Sequence, residues 1–316
     1  MINLDAIQNI HFVGIAGAGM RAIANIFIEK GYHVSGSDIK QSVITDRFIQ
    51  KGARICIGQC AENLQDAQVV VVSSAIRDTN PEVVEAQRRH IPVIHRSDAL
   101  VHIMSWGKGI SVAGAHGKTT TSSMLGQVFE ECGTDPTLVI GGEVDYLHSN
   151  SILGKGEYVI AEADESDGTF LKQNPYIAVV TNIDADHMDH YGSLANVIEA
   201  FKEFIQKLDV KNGTAVLCFE NDKIRVLAPS LQRNYVSYGI EQKADYQAAN
   251  LHYIKGKLHF DVSYQGQMLG EIVLCVPGRH NALNALATIA TARLCGLKFA
   301  DIAQALSHFH GAKRRF

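Results

Sequence analysis

The 316-residue sequence lacks the features of several protein classes. Its formal net charge is only −4, so no strong positive field favours binding to nucleic acid or to an anionic membrane surface. It contains no apolar run near the roughly 18 residues that span a bilayer. Its start, MINLDAIQNI, has no basic segment followed by an apolar one. We therefore expect a cytoplasmic protein without a signal peptide, a membrane partner or a nucleic-acid partner.

Cysteine is sparse and unpaired in the sequence. The six cysteines form no Cys-x-x-Cys pair, which favours buried thiols in a reducing compartment over disulfides or a metal site. Histidine is more frequent, with 14 residues, but most of them stand alone. We expect His33, His90, His252 and His259 to be surface or strand residues without a functional role.

The first hundred residues predict an α/β domain. Strands such as IHFVGI and QVVVVSSAI alternate with helices such as MRAIANIFIEKG. Strands with nearly continuous Val and Ile that alternate with helices are typical of a doubly wound parallel sheet. We predict a Rossmann-like domain over residues 1–106, with HIMSWGKG, residues 102–109, as the linker at its end.

A second α/β unit begins at GISVAG and includes YVIAEA and IAVVTNI as buried strands. Residues 235–276 instead alternate polar and apolar side chains around glycine turns, which predicts an added antiparallel β segment. We assign residues 107–312 to a P-loop-type α/β domain.

The turn AGAHGKTTT leads from a predicted strand into a helix and is suited to bind phosphate. The N–H groups and the dipole at a helix N-terminus favour an anion. Lys118 can bridge the β- and γ-phosphates of a nucleotide, and the Thr119 hydroxyl can bind Mg²⁺. The turn is shorter than a strict P-loop, because Val112 stands five residues before Gly117. We interpret it as an ATP site.

Acidic side chains follow the next two predicted strands. Glu162 ends the first of them, where a Mg²⁺ ligand is expected beside a P-loop. We interpret Glu165 and Asp167 as parts of a solvated acidic loop. The loop after the second strand offers His187 or Asp186 as a further ligand, and a hard-metal phosphate site fits it better than Zn²⁺.

The first glycine turn matches the dinucleotide fingerprint. Gly17, Gly19 and Ala22 form G-x-G-x-x-A, and Asp38 ends the second strand about twenty residues later. This predicts that a diphosphate binds at the start of the helix that begins near Met20. NAD would explain this turn but not the ATP site, whereas a diphosphate-bearing substrate with ATP indicates ligation or phosphoryl transfer. An NAD-dependent oxidoreductase and a non-catalytic nucleotide-binding module remain as alternatives.

These segments carry a family resemblance. From about residue 10 to its end, with AGAHGKTTT, EADESD, NIDADHMDHYG, HNALNALA and GAKRRF in order, the sequence resembles the Mur ligases. The resemblance is strongest to the members that join L-alanine to UDP-N-acetylmuramate in peptidoglycan synthesis. A ligase of the same family that recycles a ready-made peptide is the nearest alternative.

The resemblance implies three domains: one for the UDP-sugar, a central ATPase, and a C-terminal domain that brings the amino acid. Residues 313–316 would then begin the linker to the third domain. We therefore expect this chain to bind its nucleotides but to ligate poorly or not at all.

The resemblance also implies a reaction. ATP would phosphorylate the lactyl carboxylate of UDP-N-acetylmuramate, and the amine of L-alanine would attack the acyl phosphate. Lys118, Glu162 and His187 would be the catalytic residues, and Thr119, Glu162 and His187 would hold Mg²⁺.

Further site residues follow from the matched motifs. The ATP-binding residues would be Gly114, Ala115, His116, Gly117, Lys118, Thr119, Thr120, Asn281, Asn284 and Arg315. The UDP-sugar-binding residues would be Gly17, Gly19, Met20, Ser37, Asp38, Ser73, Ser74 and Ala75. Asn281 and Asn284 could instead be helix N-caps, and Arg315 a solvated charge.

The sequence departs from the family pattern at three positions. Ala115 stands where the family usually has Thr, Gln59 where it has His, and Ile152 where we expect Arg. These differences concern affinity at the rims of the sites more than the class of reaction.

Overall fold

The computed structural model of the chain describes residues 3–144 and 149–313. The chain forms two compact units. Unit 1 comprises Met1–Ile103 and Ser151–Leu153, and unit 2 comprises Met104–Asn150 and Gly154–Phe316. The domain boundaries inferred from the sequence stay predictions.

Unit 1 is built around one parallel sheet in its described part. The strands are β1 (Asn9–Val13), β2 (His33–Asp38), β3 (Arg54–Ile57), β4 (Val69–Val72) and β5 (Val93–His95). The helices are α1 (Ala18–Lys30), α2 (Val43–Gln50), α3 (Pro81–Arg88) and α4 (Arg96–Met104), with 3₁₀ turns at Leu4–Ala6 and Ala61–Leu64. The strand order is β3-β2-β1-β4-β5, and all four pairings are parallel. The predicted Rossmann-like parallel sheet is confirmed.

Helix α1 begins at the carboxyl end of β1. Gly17 is its N-cap, and Gly31 ends it with a φ of 99°, a left-handed conformation that glycine adopts without strain. Since β2 and β4 lie on either side of β1, the order of the strands reverses at this point. Open α/β sheets bind ligands in the crevice at such a position.

Unit 2 contains a larger mixed sheet. Its strands are β6 (Lys108–Ala113), β7 (Thr137–Val144), β8 (Ser149–Ile152), β9 (Tyr158–Glu162), β10 (Ile177–Val180), β11 (Thr214–Cys218), β12 (Asn234–Gly239), β13 (Tyr246–Ile254), β14 (Lys257–Tyr264), β15 (Gln267–Leu274) and β16 (Ala312–Lys313). Its helices are α5 (Lys118–Glu131), α6 (Met188–Tyr191), α7 (Leu194–Gln206), α8 (Asp222–Leu227), α9 (Arg279–Leu294) and α10 (Phe299–Ser307), with 3₁₀ turns at Thr169–Lys172 and Ala228–Ser230.

The middle of this sheet is parallel and its far edge is antiparallel. The main path of strands is β15-β14-β13-β12-β11-β10-β6-β9-β7-β16. Strands β7, β9, β6, β10, β11 and β12 pair in parallel, so their carboxyl ends lie along one edge. The turn after β6 and the acidic loops after β9 and β10 therefore meet there. The hairpins β13–β14 and β14–β15 form the predicted antiparallel segment.

The structure corrects two details of the predicted elements. Residues 102–104 of the expected linker belong to α4, and β6 begins at Lys108. Strand β12, included in the expected antiparallel segment, pairs in parallel with β11 and with β13.

Two expectations from composition can be compared with the described residues. None of the described helices combines the length and apolarity needed to cross a membrane. All six cysteines are free thiols, and Cys218 is buried as expected, but Cys60 is exposed. The expectation of a buried thiol is therefore wrong for Cys60, which directly precedes the 3₁₀ turn at Ala61–Leu64.

Candidate functional site: two glycine turns

The turn between β6 and α5 depends on two glycines with positive φ. Gly114 has a φ of 134°, and a Cβ there would lie 2.2 Å from the Thr181 hydroxyl. Gly117, the N-cap of α5, has a φ of 86°, and a Cβ there would lie 2.8 Å from Oδ1 of Asn284. Any side chain at either position would be strained and crowded. The glycines let the turn approach its neighbours closely and leave the N-terminus of α5 accessible to an anion.

Two residues at the end of β10 hold this turn. The Thr181 hydroxyl donates to the His116 carbonyl at 2.6 Å, and Nδ2 of Asn182 donates to the same oxygen at 2.7 Å. The His116 N–H donates to Oδ1 of Asn182 at 2.9 Å. The sequence indicated Asn182 only as part of a polar loop. Its position directly after a buried strand adjacent to β6 is the signal that could have identified this role.

Lys118 folds back over the turn. Its Nζ lies 2.6 Å from the Gly114 carbonyl oxygen and 2.7 Å from Oε1 of Glu165. Glu165 is only 3% exposed, so its assignment to a solvated loop is wrong. The loop after β9 turns inward because the Lys118 ammonium compensates for the burial of the carboxylate.

Glu165 keeps one further acceptor in the site. Its Oε2 is buried and has no hydrogen-bond partner among the described residues. A buried carboxylate oxygen of this kind is a suitable acceptor for a bound cation or its water. Asp167, also expected in a solvated loop, is half-buried and accepts from the Thr169 N–H at 3.1 Å.

Thr119 and Glu162, two of the proposed Mg²⁺ ligands, lie together. The Thr119 hydroxyl interacts with the Glu162 carboxylate closely enough to lower its pKa. The Gly141 N–H donates to Oε1 of Glu162 at 3.0 Å, and a Cβ at Gly141 would lie 2.8 Å from Oε2. Burial raises the pKa of the Glu162 carboxyl, against these hydrogen bonds and the charge of Lys118, which lower it. Hydroxyl and carboxylate oxygens side by side are a donor set that suits Mg²⁺.

His187, on the loop after β10, lies near the carboxylate of Glu165. It is the N-cap of the short helix α6, with a φ of 55°, and its Nε2 lies 4.0 Å from Oε1 of Glu165. The alternative ligand, Asp186, faces Nε2 of His116 at 4.0 Å instead. The structure thus brings His187, rather than Asp186, to the Lys118–Glu165 pair.

Tyr191 is a site residue that sequence reasoning missed. Its hydroxyl donates to the main-chain oxygen of Glu165 at 2.5 Å and so connects the two acidic loops. Burial, together with the charges of Glu165, Asp167 and Asp164, raises the pKa of Tyr191 to about 12. The phenol therefore stays protonated and remains a hydrogen-bond donor at physiological pH.

The remaining proposed ATP residues lie in the turn between β6 and α5, on α5 and α9, or outside the described residues. Ala115 and Thr120 are half-buried in the turn and in the first turn of α5. Asn281 and Asn284 are not N-caps, because α9 begins after Gly278. Arg315 lies outside the described residues.

Asn281 and Asn284 form a short buried chain of hydrogen bonds. Nδ2 of Asn281 donates to the Pro277 carbonyl at 2.6 Å, and Nδ2 of Asn284 donates to Oδ1 of Asn281 at 3.3 Å. The Thr121 hydroxyl donates to Oδ1 of Asn284 at 3.2 Å. The two asparagines therefore connect α9 to the first turn of α5.

In unit 1, the acid at the end of β2 supports the glycine turn. The Asp38 carboxylate accepts from the Ala16 N–H at 3.0 Å and from the Ile39 N–H at 2.8 Å. Gly17 is exposed, and a Cβ at Gly19 would lie 3.0 Å from a guanidinium nitrogen of Arg96. The turn presents main-chain N–H groups at the start of α1, beside a cation, as a diphosphate site requires.

Ser37 lies below this turn rather than in it. Its side chain is fully buried, and its hydroxyl donates to Oε2 of Glu82 at 2.6 Å. Its carbonyl accepts from the N–H groups of Gly14 and Ile15, at 2.8 and 3.0 Å. The structure therefore places Ser37 as a support of the turn.

The other proposed UDP-sugar residues divide between core and surface. Met20 is 2% exposed and packs into the core. Ser73, Ser74 and Ala75 follow β4, with Ser74 and Ala75 exposed and the Ser74 hydroxyl 3.1 Å from Nε2 of His95. Of the positions that differ from the family pattern, Gln59 accepts from Nδ2 of Asn80 at 2.7 Å, and Ile152 at the end of β8 is half-buried.

Comparison with known protein families matches most of the chain. Residues 9–106 match the family described as "Mur ligase family, catalytic domain", and residues 112–292 match the "Mur ligase middle domain". The UDP-N-acetylmuramate–L-alanine ligase of Syntrophotalea carbinolica is 48% identical over 310 residues, which are 98% of this chain and 68% of that protein. The enzyme of the same name from Geobacter sulfurreducens is 48% identical over 311 residues, which are 98% of this chain and 67% of that enzyme.

Solved structures of two UDP-N-acetylmuramate ligases with different amine substrates are similar to this chain. The UDP-N-acetylmuramate–alanine ligase of Thermotoga maritima superposes with a TM-score of 0.86 at 32% identity, covering 98% of this chain and 70% of that one. The UDP-N-acetylmuramate:L-alanyl-γ-D-glutamyl-meso-diaminopimelate ligase of Neisseria meningitides superposes with a TM-score of 0.88 at 27% identity, covering 98% and 100%.

Proposed function

This chain belongs to the Mur ligase family, and we propose that it serves the ATP-dependent joining of L-alanine to UDP-N-acetylmuramate in peptidoglycan synthesis. The relatives of that name, 46–48% identical to it, support the choice of substrates. The observation that carries the proposal is the placement of Lys118 at the start of α5, against the buried Glu165.

The chemical problem is that a carboxylate is a poor electrophile. We propose that phosphorylation of the lactyl carboxylate by ATP supplies a leaving group, and that the amine of L-alanine then displaces phosphate to form the amide. Lys118 and the N–H groups at the start of α5 bind the polyphosphate and stabilise the charge that develops on the transferred phosphoryl group. Gly114 and Gly117 keep these donors unobstructed.

Mg²⁺ fits the residues beside Lys118. Thr119, Glu162 and His187 would hold it, and the unpartnered oxygen of Glu165 adds a further acceptor for its water. When bound, the ion supplies Lewis-acid stabilisation of phosphate charge. Asn182 holds the glycine turn through His116, and Tyr191 connects the two acidic loops through the main chain of Glu165.

In unit 1, the turn at Gly17 and Gly19 is proposed to bind the diphosphate of the UDP-sugar. The Asp38 carboxylate holds the turn through the Ala16 N–H, so its role includes shaping the site. Ser74 and Ala75, at the end of β4, are exposed on the same side of the sheet as the carboxyl end of β1. Because ATP and UDP-linked sugars are cytoplasmic metabolites, the proposed reaction is cytoplasmic.

Calorimetric titration tests this proposal. We expect the chain to bind UDP-N-acetylmuramate, and separately to bind a non-hydrolysable ATP analogue with Mg²⁺. Lys118→Ala should weaken binding of the analogue by more than about 10-fold, since it removes a charged contact to phosphate. Lys108→Ala is the matched control, because that lysine lies at the other end of β6 and pairs with Glu157 at 2.8 Å.

Phosphate release by the complete enzyme then decides the amine substrate. Release that depends on L-alanine supports the proposal, and release that depends on a tripeptide instead would assign the peptide-recycling activity. If Lys118→Ala and Lys108→Ala bind the ATP analogue equally well, the proposed ATP site is wrong.

A further inference from the structure

Three metal-binding side chains meet on the solvent face of the antiparallel segment. His252 on β13 lies directly opposite His259 on β14, and Glu271 on β15 lies diagonally across from His259. One ligand atom from each of the three lies within 4.8 Å of the other two. This cluster was not predicted from the sequence, because the three residues belong to three different strands.

Each imidazole can offer one ring nitrogen to a cation. Nδ1 of His252 lies 2.7 Å from the Asn250 carbonyl oxygen. Since a carbonyl only accepts, this Nδ1 carries the proton, and Nε2 of the neutral ring keeps its lone pair, which is the usual form of a metal-binding histidine. Nδ1 of His259 lies 3.0 Å from Oε1 of Glu271. Binding of an ion would displace the proton between these two atoms, so that Nδ1 and Oε1 both become ligands.

A local irregularity aims His252 at its neighbour. The register of β13 and β14 shifts between Ala249 and His252, and Asn250 there has a φ of 55°. Nδ2 of Asn250 donates to Oδ2 of Asp261 at 2.6 Å, which braces the shift against β14. The rings of His252 and His259 lie 5.4 Å apart at 28°. Bulges commonly redirect a side chain in this way.

Strands β14 and β15 pack against the core behind His259 and Glu271. On the other face of these two strands, Phe260, Ile272 and Leu274 are fully buried. The two strands therefore keep their spacing while the exposed side chains adjust. Ligand atoms held at about 2.0–2.1 Å from Zn²⁺ in a tetrahedron lie roughly 3.3 Å apart, so small rotations of the three side chains suffice.

We propose that His252, His259 and Glu271 form a binding site for a borderline transition-metal ion such as Zn²⁺, separate from the nucleotide sites. Two imidazoles and one carboxylate suit Zn²⁺ rather than the oxygen-preferring Mg²⁺ or Ca²⁺. Three protein ligands leave the fourth position to water. The bound ion would connect β13, β14 and β15 across their exposed face.

Titration of the metal-stripped chain with Zn²⁺, in excess Mg²⁺ to occupy oxygen sites, tests the proposal. We expect one tightly bound ion per chain and a rise in melting temperature on binding. His252→Ala and His259→Ala should each weaken Zn²⁺ binding by more than about 10-fold, since even outer-shell partners of metal ligands contribute about 10- to 100-fold.

His308→Ala is the matched control. Nδ1 of His308 lies 2.9 Å from Oε2 of Glu131, a comparable exposed pair for which no second histidine is grouped within ligand distance among the described residues. The proposal predicts unchanged Zn²⁺ binding in this variant. It is overturned if His252→Ala and His259→Ala bind Zn²⁺ as the unaltered chain does, or if His187→Ala removes the bound ion instead.

Discussion

At the residue scale, Glu82 is a fully buried carboxylate beneath the glycine turn of unit 1. It accepts from the Ser37 hydroxyl at 2.6 Å and from Nδ2 of Asn63 at 2.5 Å, and Nε2 of His11 lies 3.6 Å away. Burial favours a raised pKa for Glu82, but the interactions with His11, Ser37 and Asn63 outweigh it, and the pKa is lowered below its usual 4.5. An ionised carboxylate therefore supports Ser37, which in turn holds the turn.

The lowered pKa predicts how acid affects unit 1. A carboxylate whose pKa is lower in the folded state stabilises that state above its unfolded-state pKa, and this contribution disappears as the pH falls through the folded-state pKa. We expect Glu82→Gln to reduce the free energy of unfolding at neutral pH by about 1–3 kcal/mol, through the lost charged hydrogen bonds. Below pH 4.5 the difference from the unaltered chain should shrink.

Denaturant unfolding, followed by circular dichroism across this pH range, measures the effect. Glu85→Gln on the same helix is the control, because Glu85 forms a surface pair with Arg88 at 2.7 Å. It should remain close to the unaltered chain. A Glu82→Gln curve that runs parallel to the unaltered one down to acid pH would contradict the assignment of an ionised Glu82.

At the scale of elements, the first turn of α5 is fixed by its contact with α9. Gly117 has a φ of 86° and faces Oδ1 of Asn284, which also accepts from the Thr121 hydroxyl. The start of α5 therefore depends on the side chain of Asn284, which lies 163 residues beyond Thr121 in the sequence. The phosphate-binding geometry belongs to the pair of helices rather than to the turn alone.

Gly117→Ala should affect ligand binding as well as stability. The new Cβ would lie 2.8 Å from Oδ1 of Asn284, so the Asn284 side chain must move away and its contact with the first turn of α5 is disturbed at the proposed phosphate site. We expect the affinity for an ATP analogue to fall by more than about 10-fold, a loss of roughly 1.4 kcal/mol or more. Calorimetry measures it.

Gly133→Ala, just beyond the other end of α5, distinguishes the effect of backbone strain from that of the contact with Asn284. Gly133 also has a positive φ, of 75°, but a Cβ there would meet nothing within 4 Å. It should lower stability by about 1 kcal/mol and leave binding of the ATP analogue unchanged. Equal losses of binding in both glycine variants would show that backbone strain, rather than the contact with Asn284, controls the site.

At the scale of the whole molecule, each unit carries its own glycine turn at the carboxyl end of a parallel strand. In unit 1 the turn follows β1 and is held by Asp38, and in unit 2 it follows β6 and is held by Asn182. The supporting side chains differ, so the two turns need not bind the same kind of phosphate. This accounts for the presence of two glycine turns in one chain.

Two single substitutions should therefore separate the two binding activities. Asp38→Ala removes the acceptor of the Ala16 and Ile39 N–H groups and should weaken binding of UDP-N-acetylmuramate by more than about 10-fold, with ATP-analogue binding retained. Lys118→Ala should have the opposite pattern. Titration of each variant with both ligands tests this, and simultaneous loss of both ligands in either variant would disprove independent sites.

How much the sequence could predict differs between the backbone elements and the contacts of the side chains. Hydrophobic runs, glycine turns and the Gly31 helix end are local signals, and they predicted the parallel sheet of unit 1 and the strand-turn-helix form of both turns. The predicted linker was wrong in part, since its residues 102–104 continue α4. Over only three residues, the apolar pattern at the end of a helix cannot be distinguished from that of a linker that contains apolar residues.

The sequence by itself determined the family, the α/β class and the two glycine turns, because these depend on short patterns that local backbone preferences enforce. Only the tertiary structure decided which polar side chains are buried together. Glu165 is buried because Lys118 reaches it from a different strand connection, and Ser37 because Glu82 lies 2.6 Å from its hydroxyl. Likewise His252, His259 and Glu271 meet only through strand register. Burial of a charge depends on a partner that is distant in sequence, and that partner becomes known only when the chain is folded.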